Sequence, residues 1–124
     1  MTLPALSVRQ PWAWLIVAGF KDIENRSRRT LYRGPVLIHA GVNRRLLDSR
    51  FWDWLKRHHG VVPPLSLELG GVVGVVDLVD CVSAHPSPWF CEGGFGYVLG
   101  NPRRLSFRAC KGKLGFFRPE FVGD

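Results

Sequence analysis

The stretch LGGVVGVVDLVDCV, residues 69–82, decides the fold of this chain. Six of its fourteen residues are valine, and β-branched side chains pack well on a pleated surface, so the stretch predicts one long central strand. Glycines at positions 70, 71 and 74 interrupt the apolar run, and glycine inside a strand indicates a bend or a close approach of backbone. A central strand that bends is typical of small β-barrels, whose strands must tilt and curve to close.

Further extended segments flank this central strand. They are short, apolar or alternating, and bounded by glycine, proline or polar turn residues. The predicted strands are residues 5–8, 22–26, 36–40, 97–99, 103–107 and 114–117. The sequence therefore predicts five or six short strands around the long one.

Two segments predict helices. Residues 11–18, PWAWLIVA, place Pro11 at a first helical position and Gly19 at a C-cap, as proline and glycine prefer. Apolar residues cover nearly every side of this short helix, so we expect it to be buried or to line a cleft. Residues 44–59 predict a second helix, because apolar residues recur there at three- and four-residue spacings.

Length and composition favour one globular domain. A chain of 124 residues with 46% hydrophobic content is long enough for its own core and too short for two comfortable ones. We therefore expect a single domain over residues 1–124. Its predicted fold class is α+β, mainly β: a small, strongly bent barrel with helices packed beside it.

The charge of the chain favours a polyanionic partner. The net charge is +7, and thirteen of the seventeen basic residues are arginine, whose guanidinium pairs with phosphate and stacks on bases.

Three cysteines without a CxxC pair indicate neither a disulfide framework nor a metal site. No signal peptide or membrane-spanning stretch is visible. We expect a cytoplasmic protein without cofactor or metal, whose oligomeric state stays open.

The segment GFKDIENRSRR, residues 19–29, places opposite charges directly after the short buried helix. On a strand, Glu24 and Arg26 lie on one face, where they can form an ion pair. Lys21 lies in the preceding turn and can reach a phosphate or polarise a carbonyl. Short buried helices that lead into charged strands are common places for a binding site.

Several motifs occur in one order along the chain: RQPWA at residues 9–13, GxKxxExR at 19–26 and YRGPxLIHA at 32–40, followed by GVVGVVDLVDCV, GFGYVLGNPRRL and KGKLGFF. With them the sequence resembles the ASCH domain family, relatives of the PUA-like RNA-binding barrels, over nearly its whole length. The resemblance implies a PUA-like barrel with a cleft between the first helix and the sheet. It also implies that the GxKxxExR segment lines this cleft.

The candidate ligand-binding residues follow from the resemblance and from residue chemistry. The resemblance carries over Gln10, Trp12, Lys21, Glu24 and Arg26. Arg28 and Arg29 are added as phosphate contacts, and Trp89 and Tyr97 as surfaces on which a base can stack. The expected partner is RNA, another single-stranded nucleic acid, or a nucleotide or nucleoside.

Two other functions stay open at this point. One branch of the family resembles an amidohydrolase of acetylated cytidine that uses a lysine and, three residues on, a threonine. This chain has Lys21 and Glu24 at those places, and a carboxylate does not replace a threonine nucleophile. A hydrolase acting on a modified nucleoside or on RNA would use Lys21 and Glu24 as acid and base. The remaining alternative is a protein-interaction module.

His39, at the end of an apolar strand, is more typical of a hydrogen-bonded structural histidine than of a general base.

Overall fold

In residues 3–123, which the computed structural model describes, six strands form one curled sheet with two helices. The strands are β1 (Ala5–Val8), β2 (Ile23–Arg26), β3 (Gly34–Ala40), β4 (Gly71–Val82), β5 (Phe95–Ala109) and β6 (Phe116–Phe117), and the helices are α1 (Trp12–Val17) and α2 (Ser49–His59). Their order in the sheet is β2-β5-β4-β3-β1-β6. The strand β1 runs parallel to β3, and the other pairs are antiparallel.

The long strand β4 bends as its glycines predict. Its pairing with β5 shifts register at three places, and its pairing with β3 shifts between Ile38 and His39. Each irregularity of this kind bends a strand and increases its twist. The sheet therefore curls into a half-barrel, which confirms the expected α+β, mainly β, barrel-like fold with helices beside it.

The prediction of two short strands at residues 97–99 and 103–107 is wrong, because both belong to the single strand β5. The residues Gly100, Asn101 and Pro102 suggested a break. Asn101 adopts a left-handed backbone, with φ of 48°, a conformation that asparagine tolerates. Its side chain donates to Asp77 of β4 over 3.2 Å. Because β4 pairs with both halves of β5, the ladder continues past this irregularity.

The second helix begins at Ser49 and not at residue 44 as the apolar spacing predicted. Asp48 has an extended backbone, and its carboxylate accepts a hydrogen bond from the Phe51 N–H, an N-cap. Upstream, the Asn43 side chain accepts from the Arg45 N–H, which forms a turn that competes with helix. Arg44 therefore lies before the helix.

Helix α1 joins two apolar clusters. Ala13, Ile16 and Val17 pack into the main core formed by the sheet. Leu15, on another side of α1, packs with Leu55 of α2 and with residues of a second cluster. The short helix is therefore buried, as its apolar sides predict. Neither described helix is long and apolar enough to cross a membrane.

Gly74 lets α1 lie directly on β4, and its substitution tests this packing. A Cβ at position 74 would lie 2.5 Å from Val17 Cγ1 and 2.6 Å from the Arg103 carbonyl oxygen. We expect Gly74→Ala to lower the free energy of unfolding by about 2–3 kcal/mol, because overpacking displaces the helix or the strand. Urea denaturation measures the loss.

Gly100→Ala is the matched control. The added Cβ there meets only Val79 Cγ1 at 3.7 Å, an ordinary contact, so the loss should stay below about 1 kcal/mol. Equal losses at the two positions would contradict the proposed packing of α1 against β4.

Candidate functional site

Lys21, Glu24 and Arg26 form a chain of ionic contacts that runs from the turn before β2 to its last residue. The Glu24 residue is 8% exposed. Its carboxylate accepts from Arg26 Nε at 2.9 Å and lies 2.8 Å from Arg26 Nη2 and 3.5 Å from Lys21 Nζ. The structure therefore contains the Glu24–Arg26 pair that the strand geometry predicted, with Lys21 as a second cation on the same carboxylate.

Arg26 also connects the edge strand β2 to β1, the strand next to the other edge of the curled sheet. Its Nη2 donates to the backbone carbonyl of Ser7 in β1 over 2.9 Å. Strand β2 pairs with β5, and β1 pairs with β3 and β6, so none of the described ladders joins β1 to β2. The Arg26 side chain makes this connection instead of the backbone.

Lys21 is buried and held from several sides. Its ammonium donates to the carbonyl of Ile23 and lies 5.3 Å from the centre of the Trp12 ring, within the range of a cation–π contact. Burial lowers the pKa of Lys21 below its ordinary value, and the nearby Glu24 carboxylate opposes this shift. The cavity that Lys21 lines has a volume of about 50 Å³.

A much larger cleft lies beside Arg26, between the ends of β1 and β3 and the segment of residues 109–115. Its volume is about 750 Å³. Four basic residues line it, and the described lining residues include no Asp or Glu: the basic ones are Arg9, Arg26, Lys111 and Lys113. Carboxylates outside the lining pair with two of these cations: Glu24 with Arg26 at 2.8 Å, and the exposed Glu120 with Lys113 at 3.9 Å. The lining of the cleft therefore carries an excess of positive charge.

Ser7 and His39 also line this cleft. They are direct neighbours on the parallel strands β1 and β3. Ser7 Oγ lies 2.9 Å from His39 Nδ1, and His39 Nε2 lies 2.8 Å from the carbonyl oxygen of Cys110. His39 is thus a buried histidine with both ring nitrogens hydrogen-bonded, as its position in an apolar strand indicated.

Gln10 and Trp12 occupy structural positions at the start of α1. Gln10 is 2% exposed; its Oε1 accepts from the Trp14 N–H at 2.9 Å, and its Nε2 donates to the Glu68 carbonyl at 3.0 Å. Trp12 is half-buried, with edge-to-face contacts to Phe51 and Trp89. Both polar ends of Gln10 are therefore occupied within the protein.

The two aromatic residues predicted as stacking surfaces are both buried. Trp89 is 8% exposed, and His59 stacks on it with ring centres 3.6 Å apart. The Tyr97 hydroxyl donates to the Arg28 carbonyl over 2.8 Å, and its ring stacks parallel to Phe116. Burial raises the pKa of Tyr97 above its ordinary value.

The structure brings only part of the predicted site together. Lys21, Glu24 and Arg26 form one connected group, and Arg26 alone of the predicted residues lines the large cleft. Arg28 and Arg29 are exposed and are not among the lining residues. Sequence reasoning did not select Ser7, Arg9, Lys111 or Lys113. A signal for the lysines exists, since KGKLG at 111–115 joins basic residues to glycine.

Fold and site together define a small PUA-like domain with an electropositive cleft, a fold class associated with RNA binding. The family model of the ASCH domain matches residues 6–94. The chain therefore belongs to the ASCH domain family. This agrees with the resemblance that the sequence motifs carry.

Similar proteins agree with the family and the fold. The chain is 38% identical over 82 residues to Activating signal cointegrator 1 of Homo sapiens and to the protein of the same name from Mus musculus. The match covers 63% of this chain but only 14% of each relative. The crystal structure of a point mutant of the ZmASCH protein from Zymomonas mobilis has a TM-score of 0.52 at 16% identity. That match covers 88% of this chain and 76% of the other.

The burial of Lys21 predicts a pH dependence of stability. The pKa of the folded protein's Lys21 lies below the ordinary value of 10.5, so between these two values the unfolded chain binds a proton that the folded chain has lost. The free energy of unfolding then rises with pH in that interval. Lys21→Met lacks this contribution. The wild-type free energy minus that of the variant should therefore be constant at lower pH and increase as the pH approaches 10.5.

Urea denaturation of both proteins from about pH 7 to about pH 10 measures this difference. Tyr97 and Cys110, whose pKa values burial raises, are present in both proteins, so their contributions largely cancel. A difference that falls with pH, or stays flat throughout, would show that the environment does not disfavour the charged form of Lys21.

Proposed function

We propose that this protein binds RNA, or a nucleotide, by holding phosphate groups in the cleft between β1, β3 and residues 109–115. One observation carries the proposal: four basic side chains and no described carboxylate line a cleft of about 750 Å³. Phosphate contacts with Lys and Arg supply most of the affinity of non-specific nucleic-acid binding. The PUA-like fold of the family supports the same function.

Arg26 is the best-oriented phosphate ligand of the cleft. Glu24 fixes the guanidinium on one side at 2.8–2.9 Å, and the Ser7 carbonyl fixes it on another at 2.9 Å. A side chain held in this way loses little further conformational entropy when a phosphate binds. Lys21 supports Arg26 indirectly, because its ammonium is a second cation beside the carboxylate that holds Arg26.

Lys111, Lys113 and Arg9 complete the cationic surface from the other sides. All three are exposed, so their long side chains can adjust to the spacing of successive phosphates. Arg28 and Arg29 continue the chain directly after β2 and are exposed as well. We propose that they contact phosphates outside the cleft, as the sequence predicts.

Base stacking contributes less to this proposal. Trp89 and Tyr97 are buried, with 8% and 4% of their surfaces exposed, while Trp12 is half-buried. Binding that depends on phosphates and not on base edges has little sequence preference. We therefore expect strong salt dependence and weak discrimination between RNA sequences.

A hydrolase that uses Lys21 and Glu24 is the second candidate. The observation that favours it is the lowered pKa of Lys21, since a lysine with a lowered pKa is a better base at neutral pH. The cavity that Lys21 lines measures about 50 Å³, and one water in the liquid occupies about 30 Å³. A nucleoside does not fit there, so binding is the function that the geometry supports better.

The double variant Lys111→Ala/Lys113→Ala tests the phosphate assignment. Each lysine that neutralises a phosphate of single-stranded RNA contributes about 0.7 to the slope of log affinity against log salt concentration. We expect the double variant to lower that slope by up to about 1.4. We also expect it to bind a short single-stranded RNA several-fold more weakly. Fluorescence anisotropy at several salt concentrations measures both quantities.

The matched control is Lys56→Ala/Arg57→Ala on α2. It changes the net charge equally, and both residues are exposed and outside the lining of the cleft. If the two double variants lose the same affinity and the same slope, the cleft is not the binding site. If the Lys111/Lys113 variant keeps the wild-type slope, its lysines do not contact phosphate.

A further inference from the structure

The hydrogen bonds of His39 fix which of its nitrogens carries the proton. The Cys110 carbonyl oxygen, 2.8 Å from Nε2, can only accept, so Nε2 carries the hydrogen. In the neutral ring Nδ1 then has a free lone pair and accepts the O–H of Ser7 at 2.9 Å. A hydroxyl is thus bonded to a base, and the base is oriented by a third group, as in sites of nucleophilic catalysis.

Backbone passes unusually close to this pair. A Cβ on Gly112 would lie 2.8 Å from both Ser7 Oγ and His39 Cε1, and a Cβ on Gly41 would lie 3.3 Å from Ser7 Oγ. Glycine at these two positions therefore keeps side-chain atoms away from the hydroxyl. Ser7 is half-buried and faces the cleft, together with His39, Gly41 and Gly112.

We propose that Ser7 is a nucleophile activated by His39 and that the cleft hydrolyses carboxylic esters of phosphate-bearing alcohols. The four basic residues that line the cleft recognise the phosphate of the substrate. The choice of an O-acylated nucleotide as the simplest substrate of this class rests on the proposed binding function.

The reaction balances with water as the only co-reactant. Ser7 Oγ attacks the carbonyl carbon while its proton moves to His39 Nδ1, and Nδ1 then protonates the leaving alkoxide as the ester C–O bond breaks. A water next gives a proton to Nδ1 and attacks the acyl-serine, whose C–Oγ bond breaks. Nδ1 returns its proton to Ser7 Oγ, and the carboxylic acid leaves.

A fluorophosphonate probe tests the reactivity of Ser7 without knowledge of the natural substrate. The activated hydroxyl displaces fluoride and forms a covalent adduct, which tryptic mass spectrometry assigns to a residue. We expect the wild-type chain to carry the adduct on Ser7 and Ser7→Ala to remain unlabelled. Ser106→Ala, which removes an exposed serine of β5, is the control and should be labelled as the wild type is.

Hydrolysis of 2′(3′)-O-acetyl-AMP, compared with 2′(3′)-O-acetyladenosine, tests the substrate class. We expect the phosphate-bearing ester to be hydrolysed at least about tenfold faster, because the cationic cleft raises its local concentration and binds it. His39→Gln should abolish hydrolysis of both esters, with circular dichroism as the control for folding.

The outcomes are distinct. An adduct on another residue, or no adduct on the wild-type chain, overturns the assignment of Ser7 as a nucleophile, and this result does not depend on how any variant folds. Equal hydrolysis of the two esters overturns the phosphate-bearing substrate. Labelling is measured without nucleic acid, so a chain that does not bind RNA can still be labelled. Failure of the proposed binding function is seen instead in the anisotropy measurement with RNA.

Discussion

The Arg26 guanidinium connects the edge strand β2 to β1, the strand next to the other edge of the curled sheet, and this contact lies at the cleft. It binds the Glu24 carboxylate of its own strand and the Ser7 carbonyl of β1. Strand β6 covers only Ala5 and Leu6 of β1, so beyond them no described strand pairs with β1 on that side. Arg26 instead donates to the Ser7 carbonyl there. A strand that paired with β1 along its full length would fill the space beside this contact.

The contact between Arg26 and the Ser7 carbonyl places a positive charge in the lining of the cleft. Ser7 and His39 stand side by side on β1 and β3, next to the carbonyl that Arg26 holds. The segment of residues 109–115 then adds two lysines across the cleft. A buried ion pair is weak evidence for stability by itself, because desolvation offsets the attraction. Its more specific role here is to orient one guanidinium toward a cleft.

The sequence predicted most of the local structure, and its errors have physical causes. The run of β-branched residues located β4, and Pro11 and Gly19 bounded α1. The apolar spacing that predicted the second helix extended it backwards to residue 44, because spacing does not register the cap at Asp48. The Gly100–Pro102 segment indicated a turn from local preferences. Pairing with the long β4 overrides those preferences, since a continuous ladder satisfies the backbone on both sides of Asn101.

The site was predictable only where it is local in sequence. Residues 21, 24 and 26 are close along the chain, and strand periodicity alone predicted the Glu24–Arg26 pair. The cleft itself is formed by segments about thirty and about seventy residues apart, which the sheet order brings together. The sequence suggested ligand contacts at Gln10, Trp89 and Tyr97. Each is instead occupied by a partner far away in the chain: the Glu68 carbonyl, the His59 ring and the Arg28 carbonyl.

A double-mutant cycle on Glu24 and Arg26 tests most directly whether Glu24 holds the Arg26 guanidinium in the position from which it contacts β1. The free energies of unfolding of the wild type, Glu24→Gln, Arg26→Gln and the double variant give the coupling between the two side chains. Both are largely buried, with side chains 11% and 26% exposed, so we expect a favourable coupling of about 1–3 kcal/mol. A coupling near zero would contradict the account, because the pair would then be no more important than an exposed surface salt bridge.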